Sequence, residues 1–243
     1  MRVAVMSDVH GNCVAFDAVL ADLHQRPADG VVCLGDMVQG GPQPTEVLAR
    51  LRELACPVVM GNADAWVLTN QTAEGEPAEH MRAIREWSLA QLSADDRAFV
   101  AAFQPTVELP LGDDRPLPCF HGSPRSYDDV IFLDTPEEEF RRLLEPFAPA
   151  VMTGGHTHTQ MIRRLDDTFF FNPGSVGVAV DQRQPREHMR VDPWAEYAIL
   201  STEDGRTGLE FRRVPFDVEA LLRVARASGM PRVETFTERY QPA

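Results

Sequence analysis

The sequence predicts an α/β fold: one domain over residues 1–243, with two sheets and helices on the outside. Three observations carry that expectation. Short apolar runs alternate with segments of helical periodicity through the first 62 residues, which is a βαβαβ pattern. Residues 161–214 then become rich in strands. No internal repeat or low-complexity linker divides the chain, so strands recur from one end to the other.

Each element has a local reason. RVAVMS (2–7) reads as a buried strand, followed by a helix from Asn12 with Phe16, Val19, Leu20 and Leu23 on one face, closed by Pro27. GVVCLGD (30–36) is a second strand. Residues 44–55 form a helix through Val47, Leu51 and Leu54, and PVVMGN (57–62) is a third strand. This order implies parallel strands joined by right-handed crossovers. Residues 63–103 read as helical with a polar loop at 71–80, and PLPCFHG (116–122) returns as a strand. Thr135-Pro136-Glu137-Glu138 has the form of a capping box, opening a helix with Phe140, Leu143, Leu144 and Phe147 on one face. PAVMTGGH (149–156) is a strand, and MIRRL, TFFFN, EYAILS and GLEFRRV follow. A final helix begins after Asp217 and stops at Gly229, while the polar, Pro-punctuated stretch 181–193 reads as a loop.

Composition excludes several classes. With 44% apolar and 25% charged residues the chain has ample material for a core. No stretch reaches the roughly 20 apolar residues that span a bilayer. The N-terminus lacks a signal peptide's apolar segment, so a cytoplasmic protein is expected. The cysteines, Cys13, Cys33, Cys56 and Cys119, form no CxxC pair, which argues for reduced structural thiols. A net charge of −14 argues against general nucleic-acid binding, because phosphates need cations to neutralise them. An acidic protein can still act on one phosphate through bound metal or a few arginines.

The chemistry sits at strand ends: Asp8-Val9-His10, Gly35-Asp36, Gly61-Asn62, His121-Gly122, and His156 with His158. Residues two apart in extended chain point the same way, so each of the pairs Asp8/His10 and His156/His158 is expected to present two ligands to one spot. In open α/β sheets ligands bind beyond the carboxyl ends of strands. Carboxylates and imidazoles without thiolates suit manganese, iron, zinc or nickel. Seven ligands exceed one tetrahedral ion and fit two divalent ions that share a bridging carboxylate.

The ordered set DVH, GD, GN, HG and GHTH, with Asn172-Pro173-Gly174-Ser175 after it, resembles the calcineurin-like metallophosphoesterase superfamily, specifically its small bacterial and archaeal phosphodiesterase branch. The resemblance covers residues 3 to about 178. It implies a two-sheet sandwich of mixed strands flanked by helices and a binuclear metal site, with manganese first among the candidate ions. Carried over position by position, Asp8, His10 and His158 would hold the first ion, and Asn62, His121 and His156 the second. Asp36 would bridge them. Many members follow the Asn with a histidine that protonates the leaving group; here Ala63 and then Asp64 follow.

The implied reaction is hydrolysis of a phosphodiester or phosphoanhydride by a hydroxide bridging the ions. Without the usual acid, substrates with stable leaving groups are expected. Asn62 and Asp64 are the candidate catalytic residues, Asp64 being either a substitute acid or a helix cap. Asn12 is a candidate phosphate ligand or the cap of the first helix. Arg183 and Arg186, with His188 and Arg190, are candidates for a polyphosphate clamp or a solvated loop. Trp66 and Trp194 are packing residues or nucleobase platforms. The partner expected is a small, nucleotide-like phosphorylated substrate, with no membrane association and with homo-oligomerisation left open. The alternative is a catalytically weak scaffold of the same fold that binds protein partners.

Overall fold

The structure, a computed structural model, describes residues 1–69, 79–112, 116–145, 150–181, 184 and 189–240. Two mixed sheets pack face to face, with helices on both outer sides. The first sheet has the order β2-β1-β8-β9, formed by β1 (Arg2–Met6), β2 (Gly30–Cys33), β8 (Trp194–Glu203) and β9 (Arg206–Pro215). The second has the order β3-β4-β5-β7-β6, formed by β3 (Val107–Pro110), β4 (Pro116–Cys119), β5 (Val151–Thr153), β6 (Met161–Leu165) and β7 (Thr168–Asn172).

The two-residue period of β1 explains the layers. Val3 and Val5 face the other sheet, where they meet Leu117, Val151 and Phe171. Ala4 and Met6 point the opposite way, onto Phe16 and Val19 of helix α1 (Cys13–Gln25). With both faces covered, β1 must be apolar throughout, which is how it reads. The far side of the second sheet repeats the device. Met152 and Phe170 turn away from the sandwich onto Phe140, Leu143 and Leu144 of α6 (Glu137–Leu144). Truncating Phe170 to alanine would remove contacts of the kind worth about 3–5 kcal/mol.

β1 pairs with β2 in parallel, as the βαβ pattern requires, and with β8 antiparallel. β8 and β9 form a ten-pair hairpin turning at Asp204-Gly205, both at positive φ. The expected third strand is reduced to two isolated parallel bridges, Cys33 with Val58 and Val59 with Gln104. Helix α2 (Pro44–Leu54) follows β2, and α3 (Asn62–Thr69), α4 (Glu79–Gln91) and α5 (Ala94–Ala101) divide the long helical region. Of the predicted loop at 71–80, residues 71–78 lie outside the described residues and the last two begin α4. The capping box at Thr135 is not formed. Thr135 Oγ1 accepts from the Phe132 amide at 2.8 Å, and α6 starts after Pro136 with no side-chain cap. Phe147 lies outside the described residues.

α7 (Val218–Ser228) ends at Gly229 as expected, and a further helix, α8 (Val233–Glu238), follows it. Among the described residues no helix is long and apolar enough to cross a membrane.

Candidate metal centre

Two ligand groups assemble beyond the strand ends. Asp8, His10 and His158 form one, and Asp36, His121 and His156 the other, the ligand atoms of each group lying within 4.8 Å of one another. Both groups are built by loops that leave parallel strands at the same edge. Asp8 N donates to Gly35 O and His10 N to Asp36 O, which locks the two loops together.

The expectation that Asp8/His10 and His156/His158 act as extended-strand pairs is corrected here. Asp8, His10, Asp36, His156 and His158 all have positive φ, from 48° to 69°. Left-handed backbone at non-glycine residues is uncommon and costs of order 1 kcal/mol each, so surrounding bonds must hold it. One consequence is that His156 and His158 do not share a spot: each joins a different group.

The hydrogen-bond pattern fixes what these side chains offer. His10 Nδ1 sits 2.7 Å from Gln39 O, His158 Nδ1 2.8 Å from Val178 O, and His121 Nδ1 2.7 Å from Leu34 O. A carbonyl only accepts, so each Nδ1 carries the proton and each Nε2 turns its lone pair inward. His10 Nε2 and His158 Nε2 are then 3.1 Å apart, and His121 Nε2 is 2.9 Å from Asn62 Oδ1. Asp8 Oδ1, fully buried, makes no hydrogen bond among the described residues and lies 3.2 Å from His158 Nε2. Lone pairs pointing at lone pairs need positive charge between them. The donor set fits divalent cations bound by imidazole and carboxylate.

The electrostatics show the same demand for positive charge: the facing carboxylates favour a second proton on His121, at the Nε2 that a cation would take in its place. Burial would raise Asp36, yet the His121 and His10 imidazoles hold it well below the usual carboxylate range. Burial lowers His121, but the facing Asp36 carboxylate outweighs it and lifts the imidazole to about 10. His156, desolvated and beside His121, is pushed down to about 4. Asp36 Oδ2 stands between the groups, 3.7 Å from His10 Nε2 and 3.4 Å from His121 Nε2. Its other oxygen accepts from the Ala63 amide at 2.8 Å, anchoring it on the start of α3.

Two glycines are required by this crowding. A Cβ on Gly61 would strike Asp36 Oδ1, and one on Gly155 would strike Ser7 Oγ and press on Asp8 Oδ2.

The remaining predicted residues divide. Of the two readings for Asn12 the cap is the one formed: its Oδ1 accepts from Ala15 N at 3.0 Å, while its Nδ2 donates to Gly177 O at 3.0 Å. Both polar ends are used internally, so none is left for phosphate. Asp64 does not cap its own helix and does not line the cleft, and its Oδ2 is buried with no hydrogen-bond partner among the described residues. Its Oδ1 accepts from Met37 N at 2.9 Å and Val38 N at 3.2 Å, stapling α3 to the loop after Asp36. Burial and the nearby Asp36 charge push it up to about 7. Arg183, Arg186 and His188 lie outside the described residues; Arg190 is engaged through its backbone with Gln184. Trp194 donates its indole N–H to Glu196, a packing role, whereas Trp66 lines the cleft.

That cleft, about 360 Å³, opens in front of both groups and is lined by His10, Asp36, Asn62, His156 and His158 on its floor. Its outer wall comes from a region that carried no site expectation, residues 230–239. The available signal was Arg232, Thr235, Phe236 and Arg239, spaced i, i+3, i+4 and i+7, one face of a helix.

Comparison with known proteins agrees with this arrangement. The phosphodiesterase YfcE of Escherichia coli K12 is 26% identical over 188 residues, 73% of this chain and 80% of that protein. An uncharacterised protein of Methanocaldococcus jannaschii is 26% identical over 234 residues, covering 89% of this chain and 88% of the relative. The crystal structure of a metallophosphoesterase from Sphaerobacter thermophilus superposes with a TM-score of 0.75 at 27% identity, over 98% of both chains. A hypothetical protein from Pyrococcus horikoshii shares the fold with a TM-score of 0.81 at 19% identity, over 100% of this chain and 99% of that one. The family model for the calcineurin-like phosphoesterase superfamily domain matches residues 1–203, every ligand position included, and the chain belongs to that superfamily.

Proposed function

We propose that the protein is a binuclear metal-dependent phosphoesterase acting on phosphodiesters or phosphoanhydrides with stable leaving groups. The observation that carries this reading is the pair of interlocked ligand groups with inward lone pairs and an unpartnered buried Asp8 Oδ1. Asp8, His10 and His158 would hold one ion, and Asn62, His121 and His156 the other, with Asp36 shared. When bound, such ions acidify water and neutralise phosphate oxygens.

The protein's own residues do the rest. Backbone carbonyls of Gln39, Leu34 and Val178 keep three imidazoles in the tautomer that presents Nε2. Trp66, Met81, Ile84 and Met230 line the cleft and limit water around the reacting phosphoryl group. Water oxygen bonds to phosphorus in line as the bond to the leaving oxygen breaks. Ala63, on the cleft wall, has no proton to give, and Asp64 is buried outside the cleft lining with one oxygen on the amides of Met37 and Val38. The leaving group therefore departs as its own anion, which favours aryl esters and anhydrides over simple alkyl esters.

The test is hydrolysis of bis(p-nitrophenyl) phosphate by protein reconstituted with manganese, alongside elemental analysis. Turnover with two metal atoms per chain is the expected result. No turnover with manganese, iron, zinc or nickel, at full metal occupancy, overturns the reading in favour of a binding scaffold.

A further inference from the structure

We infer that Arg232 and Arg239, on α8, bind a second phosphate group of the substrate, so that the cleft selects a nucleoside polyphosphate over a simple diester. This rests on the phosphoesterase reading above and extends it to the class of substrate.

Arg232, Thr235, Phe236 and Arg239 line the cleft, while Glu234 and Glu238 of the same helix do not. The two basic residues thus face the site and the two acidic ones do not. Both arginines are exposed, and among the described residues neither is paired with a carboxylate. Other arginines of this acidic chain, net charge −14, are held by carboxylates, among them Arg26, Arg50, Arg52, Arg125, Arg141 and Arg212. All 23 basic residues of the sequence are arginine, the side chain whose planar fork matches phosphate oxygens in bidentate fashion.

Charge counting says which anion they await. Two divalent ions against Asp8 and Asp36 leave about two positive charges, which one phosphoryl group and the nucleophile take up. Two further guanidinium groups on the opposite wall are surplus for a diester and are matched by an additional phosphate. The apolar part of the wall names the rest of the molecule. Trp66 and Phe236 both line the cleft, and aromatic side chains of this kind suit a planar base. The cleft volume of about 360 Å³ is within the range of small-ligand sites.

The experiment compares wild type with the double variant R232Q/R239Q and with R232K/R239K, all manganese-loaded. Calorimetry reads the affinity for adenosine 5′-(β,γ-methylene)triphosphate and for AMP, independent of turnover. Wild type is expected to prefer the triphosphate by at least tenfold. The glutamine variant should lose that preference, and the lysine variant should recover part of it, with unchanged melting temperatures. In parallel, the ratio of kcat/KM for diadenosine tetraphosphate to that for bis(p-nitrophenyl) phosphate should fall at least tenfold in the glutamine variant, through KM. Equal wild-type affinity for the two nucleotides, or a preference that survives R232Q/R239Q, overturns the inference. Bis(p-nitrophenyl) phosphate turnover persisting in that case leaves the phosphoesterase reading standing, so the two failures are distinguishable.

Discussion

The floor and the outer wall of the cleft are built on opposite principles. The floor is tightly constrained: five candidate ligand residues hold left-handed backbone, the rings of His10, His121 and His158 are tied to backbone carbonyls, and the crowding demands glycine at 61 and 155. The wall is a short helix, presenting exposed arginines beside aromatic and apolar side chains. The floor also lies within the span matched by the family model, residues 1–203, and the wall lies beyond it. On the function proposed above, the difference teaches that chemistry and selectivity are separable. A reaction requires fixed positions, whereas a choice of substrate requires only a surface of the right charge and shape.

That contrast is broken most forcibly at Asp36. Asp36→Asn keeps an oxygen for the Ala63 amide but removes the shared charge. Turnover of bis(p-nitrophenyl) phosphate should fall about 10³-fold, with metal content dropping below two per chain. Retention of both atoms and of activity would show that the floor does not depend on this carboxylate. Nearly as large is the effect of metal on stability. Each manganese ion, at a thousandfold excess over its Kd, should add about 4 kcal/mol and raise the melting temperature by about 10 °C, read by calorimetry. The same addition to Asp36→Asn should give a much smaller rise.

The separation is sharpened by Ala63→His, which adds a proton donor to the cleft without touching the wall. Turnover of alkyl phosphodiesters should rise by about 10²-fold relative to aryl ones, measured as paired kcat/KM values. An unchanged ratio would mean that leaving-group protonation is not what the site lacks. The smallest effect is expected at Tyr240, whose hydroxyl donates to Gly177 O at 3.1 Å and ties the end of the wall to the floor. Tyr240→Phe should cost about 1 kcal/mol, because Gly177 O keeps its bond from Asn12. KM for the polyphosphate should rise severalfold with kcat and metal content unchanged, and a fall in metal content would contradict the separation.

Much of this was legible locally. The apolar runs at 2–7 and 30–36 read as strands because a strand buried on both faces has no room for polar residues, and DVH, GD, GN, HG and GHTH stand out because ligands need particular atoms. Asn12 and Thr135 show the limit. Each is a good capping residue by type, yet only Asn12 caps, since a side-chain oxygen goes to whichever amide the tertiary fold brings near. β3 was missed because VELP is too short and too polar to announce itself, and gains its place by pairing with β4.

The sequence by itself determined the alternation of strands and helices, the two-layered core and the identity of the ligands, because burial period and donor chemistry are properties of nearby residues. Only the tertiary structure decided that five of these residues take left-handed backbone, that Asp64 serves a loop, and that α8 walls the cleft. Those facts depend on backbone angles and on contacts between segments distant in sequence, for which no local pattern carries the information.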